Sequence, residues 1–275
     1  MSVASEITRK AKSNLAFALK ILPRGLRDDM VVFYAFCRIM DDLADDPATA
    51  PDERAISLEL WKNGLMHGFK NPTDFQNELI SLRSRHQIPN ELLVAIIEGC
   101  QMDLRPQRFE TWDELSHYIW KVACAVGLVS IQILGCKDPE SERYAIALGR
   151  ALQLTNILRD VGEDLSNGGR IYLPLADLAR FNYTEHDLVA RVWDERFIAL
   201  MNDQASKAEM FYHEAAAALS DADRHCLLSA EIMGEIYHAL LDQMKDGRFK
   251  VFTKRYRVNK AYKAAIFMKH LAQAI

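Results

Sequence analysis

Two aspartates, Asp41 and Asp45, are spaced for joint chemistry on a helix. They are four residues apart in a strongly apolar segment. Four residues of α-helix turn about 400° and rise about 6 Å, so both carboxylates point the same way. Like charges at this spacing repel each other, and near a helix C-terminus they also oppose the helix dipole. A divalent cation would compensate both effects, and a solvated acidic helix end is the alternative.

A second oxygen-rich ladder follows later in the chain. Asn156, Asp160 and Asp164 recur at every fourth residue, again among apolar neighbours. Amide and carboxylate oxygens are hard ligands, which suit Mg²⁺ or Mn²⁺ better than Zn²⁺. Two such ladders predict that their helices face each other across a pocket, with Mg²⁺ between each ladder and a diphosphate. Two unrelated acidic helix ends are the alternative.

Two arginines, Arg159 and Arg170, are close in sequence to the second ladder. Guanidinium groups bind phosphate oxygens in pairs, which suits a diphosphate ligand. For Arg159, an ion pair with Asp160 or Glu163 is the competing interpretation.

The elements that position these residues are predicted to be helices. Apolar residues recur at spacings of three and four, and no convincing period-two strand pattern occurs. The predicted helices cover residues 6–22, 27–45, 53–66, 73–85, 89–104, 112–135, 139–165, 193–219, 222–246 and 256–273. No repeat, low-complexity tract or linker interrupts them, so we expect a single domain over residues 1–275.

The composition limits the classes of protein. The 275 residues are 49% hydrophobic and 26% charged, which suits a globular protein with a large core. The formal net charge of −4 gives no general attraction for nucleic acid, so we expect no nucleic-acid partner. The five cysteines are scattered without a CxxC pair and predict reduced thiols, and the eight histidines show no metal-binding spacing.

Two further observations indicate a cytoplasmic protein. The first twenty residues are charged and lack the apolar core of a secretory signal. We find no apolar run of about 18 residues, the length that crosses a bilayer. The longest weakly polar stretch, residues 122–135, is shorter than this.

The chain resembles the squalene/phytoene synthase family from about Asn14 to Lys263. The family's DxxxD motif matches residues 41–45, and its NxxxDxxxD motif matches residues 156–164. Further matches are ILP at residues 21–23, YAFCR at 34–38, MDL at 102–104, AVGL at 125–128 and RIYLP at 170–174. The resemblance implies an all-α isoprenoid synthase fold, with helices around a central apolar cavity.

The resemblance also implies roles for individual residues. It assigns Mg²⁺ binding, with Mn²⁺ as the alternative ion, to Asp41, Asp45, Asn156, Asp160 and Asp164. It assigns diphosphate contacts to Arg38, Arg159 and Arg255, with Gln153 beside the second ladder. It places Tyr34, Tyr118, Tyr172 and Tyr237 near the reacting carbons or the diphosphates, and Ala123 and Gly127 where they leave room for prenyl tails. Without the resemblance, Tyr34 and Tyr237 are simply core aromatics.

One segment departs from the family pattern. Many members carry a His-Ser pair before an aromatic residue of the first helix, where this chain reads AKSNL at residues 11–15. Lys12 or Ser13 would have to supply the corresponding phosphate contact, and Leu15 stands where Phe is common.

The implied reaction is a head-to-head condensation of two prenyl diphosphates by a prenyltransferase. One diphosphate leaves, the double bond of the second substrate attacks the allylic cation, and loss of a proton closes a cyclopropane. The proton goes to the released diphosphate or to a tyrosine hydroxyl. We expect two farnesyl diphosphates to give presqualene diphosphate, with NADPH required only if a reductive second half-reaction continues to squalene.

Two alternatives stay open at this point. A phytoene synthase would use two geranylgeranyl diphosphates, and the residues that set tail length are not evident from one sequence. A non-catalytic helical assembly protein is the alternative of another class, although complete acidic ladders argue against it.

The basic residues near the C-terminus also have two interpretations. Lys254, Arg255 and Arg257, followed by Lys260 and Lys263, form either a solvated face or a surface for peripheral contact with an anionic membrane. We expect a monomer or a weak homodimer.

Overall fold

Helices form every regular element in the described part of the chain. The computed structural model describes Ala4, Glu6 and residues 18–273, and it contains no strand in that part. After a 3₁₀ turn at Leu19–Ile21, the helices are α1 (Arg24–Asp45), α2 (Pro51–His67), α3 (Asp74–Arg85), α4 (Asn90–Met102), α5 (Trp112–Ile119), a π-helical segment (Trp120–Cys124), α6 (Ala125–Leu134), α7 (Glu140–Ser166), α8 (Leu175–Arg180), α9 (Glu185–Val189), α10 (Glu195–Ala218), α11 (Arg224–Asp246) and α12 (Lys260–Gln273). The predicted all-α class is confirmed.

Local sequence explains where several of these helices begin and end. At the start of α3, Thr73 and Gln76 form a capping box, in which each side chain accepts a hydrogen bond from the other residue's backbone N–H. Asp194 caps α10 by accepting hydrogen bonds from two backbone N–H groups. Gly135 ends α6 with a φ of 78°, a left-handed conformation that glycine adopts without steric cost.

Most predicted helix boundaries agree with the structure to within two residues. The predicted helix 27–45 begins earlier, at Arg24, because Pro23 is its N-cap. The predicted helix 256–273 begins only at Lys260, because the preceding residues form a loop. Helices α8 and α9 were not predicted, since five or six residues are too few to show a periodicity. Most of the predicted helix 6–22, with Lys12, Ser13 and Leu15, lies outside the described residues.

The longest helix, α7, lies at the centre of a first hydrophobic core. It packs against α6, α10, α11 and the π-helical segment, and buried residues occur on most of its faces. A second core combines α1–α4 with α6. Because α6 places Val129 and Ile133 in the second core and Ile131 in the first, it joins the helix of the first ladder to the helix of the second.

One helical stretch corrects a sequence-based expectation. The continuous helix from Trp112 to Leu134, with a mean hydropathy of 1.4, is long and apolar enough to cross a membrane by length and composition. The core helix of a soluble protein passes the same test. In this structure 44% of its apolar 18-residue window is buried in the protein, and Lys121 within the stretch lies 2.6 Å from the carboxylate of Glu98. We therefore interpret this stretch as a core helix.

Candidate active site

Asp41 lies in a recess near the C-terminal end of α1. Its side chain is accessible to water, yet desolvation by the surrounding protein raises the pKa of its carboxyl to about 7. Arg38 and a hydrogen bond from the Cys100 thiol oppose this shift, whereas the charges of Asp45 and Asp103 add to it. Asp41 is thus reached by water but largely surrounded by protein. This combination indicates that its carboxylate lies in the wall of a recess and not on a convex surface.

Asp103, directly after α4, connects the two acidic ladders. Its Oδ2 accepts a hydrogen bond from the Tyr118 hydroxyl at 2.8 Å, and its Oδ1 accepts one from the Tyr172 hydroxyl at 2.7 Å. Its negative charge contributes to raising the pKa of Asp41 on α1 and also that of Asp164 on α7. The two ladders are therefore electrostatic neighbours, and Asp103 lies between them.

Arg170, in the segment after α7, joins the ends of three elements. Its Nη2 donates to Asp45 Oδ1 at 2.6 Å and to the backbone carbonyl oxygen of Asp103 at 3.0 Å. The arginine thus holds the C-terminal end of α1 and the C-terminal end of α4 beside the second ladder. Its charge also lowers the pKa of Asp164, opposing the effect of burial.

The second ladder, on α7, contains one buried acceptor atom that receives no hydrogen bond. Asn156 Nδ2 lies 3.5 Å from Gln153 Oε1, while Asn156 Oδ1 is buried without a hydrogen-bond partner. Asp160 is held by Arg159, whose Nε lies 2.7 Å from Oδ1 and whose Nη2 contacts Oδ2. Burial, followed by the charge of Asp160, raises the pKa of Asp164 to about 7.

These side chains fit a hard divalent cation. An unsatisfied buried acceptor costs roughly 1–3 kcal/mol, and a metal ion beside Asp160 would satisfy Asn156 Oδ1. Five carboxylates influence one another here, whereas the arginines that pair with them are Arg159 and Arg170. Excess negative charge in a recess calls for a cation. The carboxylates are those of Asp41, Asp45, Asp103, Asp160 and Asp164.

Three buried aromatic rings pack together beside Asp103. The Tyr118 and Tyr172 ring centroids are 5.3 Å apart, and Phe109 packs against both. A π-helical turn follows Tyr118 directly, and such turns often mark functional sites. Tyr237, on α11, is an electrostatic neighbour of Arg159 and contributes to raising its pKa, and Tyr34 is half-buried on α1.

The other two candidate arginines lie at the edge of the site. Arg38 is exposed and pairs with Asp42 at 2.6 Å, one turn further along α1. Arg255 pairs with Glu163 at 3.2 Å and lines, together with Arg159, a cavity of about 200 Å³. Arg255 therefore takes the carboxylate that was one of the two expected partners of Arg159.

Comparison with known proteins identifies the family of the chain. The family model described as squalene/phytoene synthase matches residues 8–262. The chain belongs to this family. Its members are prenyltransferases, which settles the class of enzyme.

The relatives of this synthase include both phytoene-forming and squalene-type enzymes. A phytoene synthase from Arthrospira platensis is 35% identical over 270 residues, and the 15-cis-phytoene synthase of Synechococcus elongatus is 33% identical over 266. Each match covers 91% of this chain and 85% of the relative.

Solved structures confirm the fold. A dehydrosqualene synthase in complex with a ligand superposes with a TM-score of 0.84 at 27% identity, covering 98% of this chain and 94% of that one. Squalene synthase HpnC from Alicyclobacillus acidocaldarius gives 0.70 at 28%, covering 98% and 93%. The isoprenoid synthase fold that the motifs implied is therefore present.

Two small residues of this synthase lie at close contacts between helices. A Cβ added at Gly127 would lie 2.8 Å from the carbonyl oxygen of Ala145 on α7. The absent side chain therefore lets α6 and α7 approach closely. Ala123 lies in the π-helical segment, and a Cβ on Gly149 of α7 would come within 3.1 Å of its backbone. The expectation that Ala123 and Gly127 leave room for prenyl tails stays a prediction.

Asp103 is the main site residue of this synthase that the sequence did not reveal. It has no acidic partner four residues away, and its only signal was its place in the MDL motif. Its importance depends on Tyr118 and Tyr172, which are 15 and 69 residues distant. No local pattern reports such contacts.

A second group of potential metal ligands lies elsewhere in this synthase. Ligand atoms of Glu209, His238 and Asp242 lie within 4.8 Å of one another. However, one oxygen of Glu209 lies 2.6 Å from His238 Nε2, and the other lies 2.8 Å from Lys245 Nζ. Both oxygens already have partners, so we assign no metal ion here.

Proposed function

We propose that this synthase condenses two molecules of geranylgeranyl diphosphate head to head to form phytoene, in a reaction that requires a divalent metal ion. The observation that carries the reaction class is the meeting of two oxygen-rich ladders at Asp103. The longer substrate is supported by the names of the relatives at 33–35% identity, which are phytoene synthases. These relatives favour the geranylgeranyl alternative over our first expectation of farnesyl diphosphate.

The two ladders would hold Mg²⁺, with Mn²⁺ as the alternative ion. Bound there, the metal would neutralise the diphosphate and stabilise it as a leaving group. Arg159 and Arg170 already lie against the same carboxylates, with guanidinium groups suited to orient phosphate oxygens. The ligands that we propose are Asp41, Asp45, Asn156, Asp160 and Asp164.

Tyr118 and Tyr172 would shield and stabilise the allylic cation without acting as bases. Each hydroxyl already donates to Asp103, and burial raises the pKa of both phenols above the usual value. Both tyrosines are therefore neutral at physiological pH, and neither offers a phenolate. An aromatic face stabilises a cation by about 0.5–2 kcal/mol. We therefore assign the proton that leaves during ring closure to the released diphosphate.

A second candidate function uses the shorter substrate. The dehydrosqualene synthase superposes over nearly the whole chain, with a TM-score of 0.84. This favours condensation of two farnesyl diphosphates to a C30 product, through presqualene diphosphate, on the same carboxylates. NADPH would enter only if the product were squalene.

Product analysis separates the two candidates. The purified chain is incubated with farnesyl or geranylgeranyl diphosphate, with Mg²⁺ or with EDTA, and with or without NADPH. Released diphosphate is measured, and products are identified by mass spectrometry. We expect a C40 hydrocarbon from geranylgeranyl diphosphate that depends on Mg²⁺ but not on NADPH.

The controls make each outcome decisive. Asp160→Asn should abolish diphosphate release, whereas Asp28→Asn, an exposed change on α1, should not alter it. A C30 product formed from farnesyl diphosphate alone would replace the proposal with the second candidate. Absence of diphosphate release from either substrate would support the non-catalytic assembly protein. We further propose a cytoplasmic protein of one domain, present as a monomer or a weak homodimer.

A further inference from the structure

The loop between α11 and α12, together with the helix ends that flank it, concentrates positive charge in an acidic protein. Residues 245–260 contain seven lysines and arginines and one acid, Asp246, which gives the segment a formal charge of +6. The whole chain carries −4. The charge is therefore strongly segregated onto one segment.

This loop is built to present its cations outward. Its apolar residues Phe249, Val251, Tyr256 and Val258 are buried, whereas its lysines and arginines are all exposed. The hydroxyl of Tyr256 donates to the Gly247 carbonyl oxygen at 3.1 Å and accepts from the Lys250 backbone N–H at 3.2 Å. The cations are thus carried on an anchored loop.

Much of this charge has no local compensation. Lys245, Arg248 and Arg255 pair with Glu209, Glu195 and Glu163, respectively. No carboxylate of the described residues lies within ion-pair distance of the other four cations, which are Lys250, Lys254, Arg257 and Lys260. An excess of exposed positive charge is free to attract an anionic surface.

An exposed apolar side chain lies beside the cations. Trp193 is 40% exposed. The indole Nε1 of Trp193 donates to the Arg248 carbonyl oxygen at 2.8 Å, and Lys250 Nζ lies 5.3 Å from the ring centroid. The tryptophan is therefore fixed to the basic loop, with part of its ring open to solvent.

We propose that this basic face, formed by Trp193 and residues 245–260, docks onto the surface of an anionic lipid bilayer. Tryptophan is favoured at the boundary between headgroups and hydrocarbon, and lysine and arginine are attracted to anionic lipids. The four unpaired cations supply the charge complementarity, and the partly exposed Trp193 supplies the shallow insertion. An acidic protein or nucleic acid would use the charge but leave the exposed part of Trp193 without a role.

The location of this face places the candidate active site close to the membrane. The loop packs on α7 so tightly that a Cβ on Gly162, between Asp160 and Asp164, would lie 2.7 Å from the Val251 carbonyl oxygen. Prenyl chains dissolve in bilayers, so docking would bring the site to its substrates. This consequence rests on the proposed function, whereas the docking itself does not.

Vesicle sedimentation of the full chain tests the docking without any enzyme assay. Vesicles of phosphatidylcholine alone are compared with vesicles containing 30 mol% phosphatidylglycerol, roughly the anionic content that attracts polybasic segments. We expect sedimentation with the anionic vesicles only, weakened by salt. Trp193→Ala should also reduce it.

Matched charge reversals show whether this particular face is responsible. The triple variant Lys250→Glu, Arg257→Glu, Lys260→Glu should lower vesicle affinity roughly tenfold or more. The control Arg24→Glu, Lys70→Glu, Arg105→Glu changes exposed residues on other elements and should bind like the parent protein. Circular dichroism verifies that both variants are folded.

Three results would overturn the proposal. They are equal binding to neutral vesicles, an unchanged affinity in the first triple variant, and tighter binding to a labelled DNA duplex than to anionic vesicles. Because lipid binding is measured without substrate, its failure is distinct from a failure of the proposed activity.

Discussion

At the scale of single residues, the proposed site depends on carboxylates whose charged form is disfavoured by the surrounding protein. Burial raises the pKa of Asp41 and Asp164 to about 7, and Asn156 Oδ1 has no donor. These are costs in the metal-free protein that a bound cation would remove. Asp103 differs, because both of its oxygens already accept hydrogen bonds from tyrosines.

Replacing Asp103 by Asn should damage turnover by misplacing two tyrosines. An amide offers one acceptor where the carboxylate offers two, so one hydroxyl loses a charged partner, a loss of about 1.5–3 kcal/mol. If the loss appears in the transition state, kcat falls by about tenfold to a hundredfold. Steady-state kinetics and circular dichroism provide the measurement. Asp113→Asn, an exposed change on α5, is the control, and an unchanged kcat in Asp103→Asn would contradict the positioning role.

Replacing Asp41 by Asn should stabilise the metal-free protein while abolishing turnover. The raised pKa means that folding disfavours the charged carboxyl, so the destabilisation develops as pH rises from about 4 and is complete above about pH 7. Allowing for solvent screening at this accessible site, we expect the variant's Tm in EDTA to exceed the parent's by about 2–4 °C at pH 8 and by less at pH 5. Differential scanning fluorimetry tests this, with Asp28→Asn as control. A lower Tm for Asp41→Asn at pH 8 would refute the argument.

At the scale of elements, α7 carries ligands on one face and supports the basic loop on another. Gly162 stands two residues from both Asp160 and Asp164, and a Cβ there would lie 2.7 Å from the Val251 carbonyl oxygen of the loop. The π-helical segment makes a similar close contact, because Gly149 of α7 packs against it. This segment directly follows α5, the helix that carries Tyr118. Close helix contacts therefore fix the helices that carry the proposed site residues.

Adding one methyl group at Gly162 should disturb both the loop and the ladder. The new Cβ would lie 2.7 Å from the Val251 carbonyl oxygen, and overpacking of this kind costs about 1–3 kcal/mol. We expect a lower Tm and a lower kcat for Gly162→Ala. Gly25→Ala, on α1 with no atom within 4 Å of the added Cβ, is the matched control and should be neutral or slightly stabilising. Equal melting temperatures for the two variants would show that the contact is not tight.

At the scale of the whole molecule, two hydrophobic cores joined by α6 hold the two ladders together. The first ladder belongs to α1 in one core, and the second belongs to α7 in the other. Arg170 and Asp103 connect them across the site. A ligand that binds both ladders should therefore stabilise both hydrophobic cores against unfolding at the same time.

Binding of metal and diphosphate together should raise the melting temperature. A ligand at a hundred times its Kd stabilises by about 2.7 kcal/mol, which is roughly 5–10 °C for a chain of this size. We expect this shift with Mg²⁺ and an unreactive geranylgeranyl thiodiphosphate together, and a smaller shift with either one alone. Scanning fluorimetry of the parent and of Asp160→Asn provides the test. A full shift in the Asp160→Asn variant would exclude the second ladder from binding.

Much of the fold and part of the site could be predicted from local patterns. The helical periodicity identified the long helices, and the two ladders were recognised because their members are four residues apart. The close contact of Gly127 with Ala145 was not predicted, because these two residues are distant in sequence. The start of α12 was predicted at residue 256 instead of Lys260 because Tyr256 and Val258 are apolar and buried, although both belong to the preceding loop.

The sequence by itself determined the helical class, the identity of both ladders and the family motifs, because all of these are properties of residues within one or two helical turns. Only the tertiary structure decided that Asp103 lies between the ladders, that Arg170 joins α1 to α4, and that the basic loop fixes Trp193 at its side. Those arrangements depend on contacts between residues far apart in the chain. Such contacts arise from packing, which a local pattern does not encode.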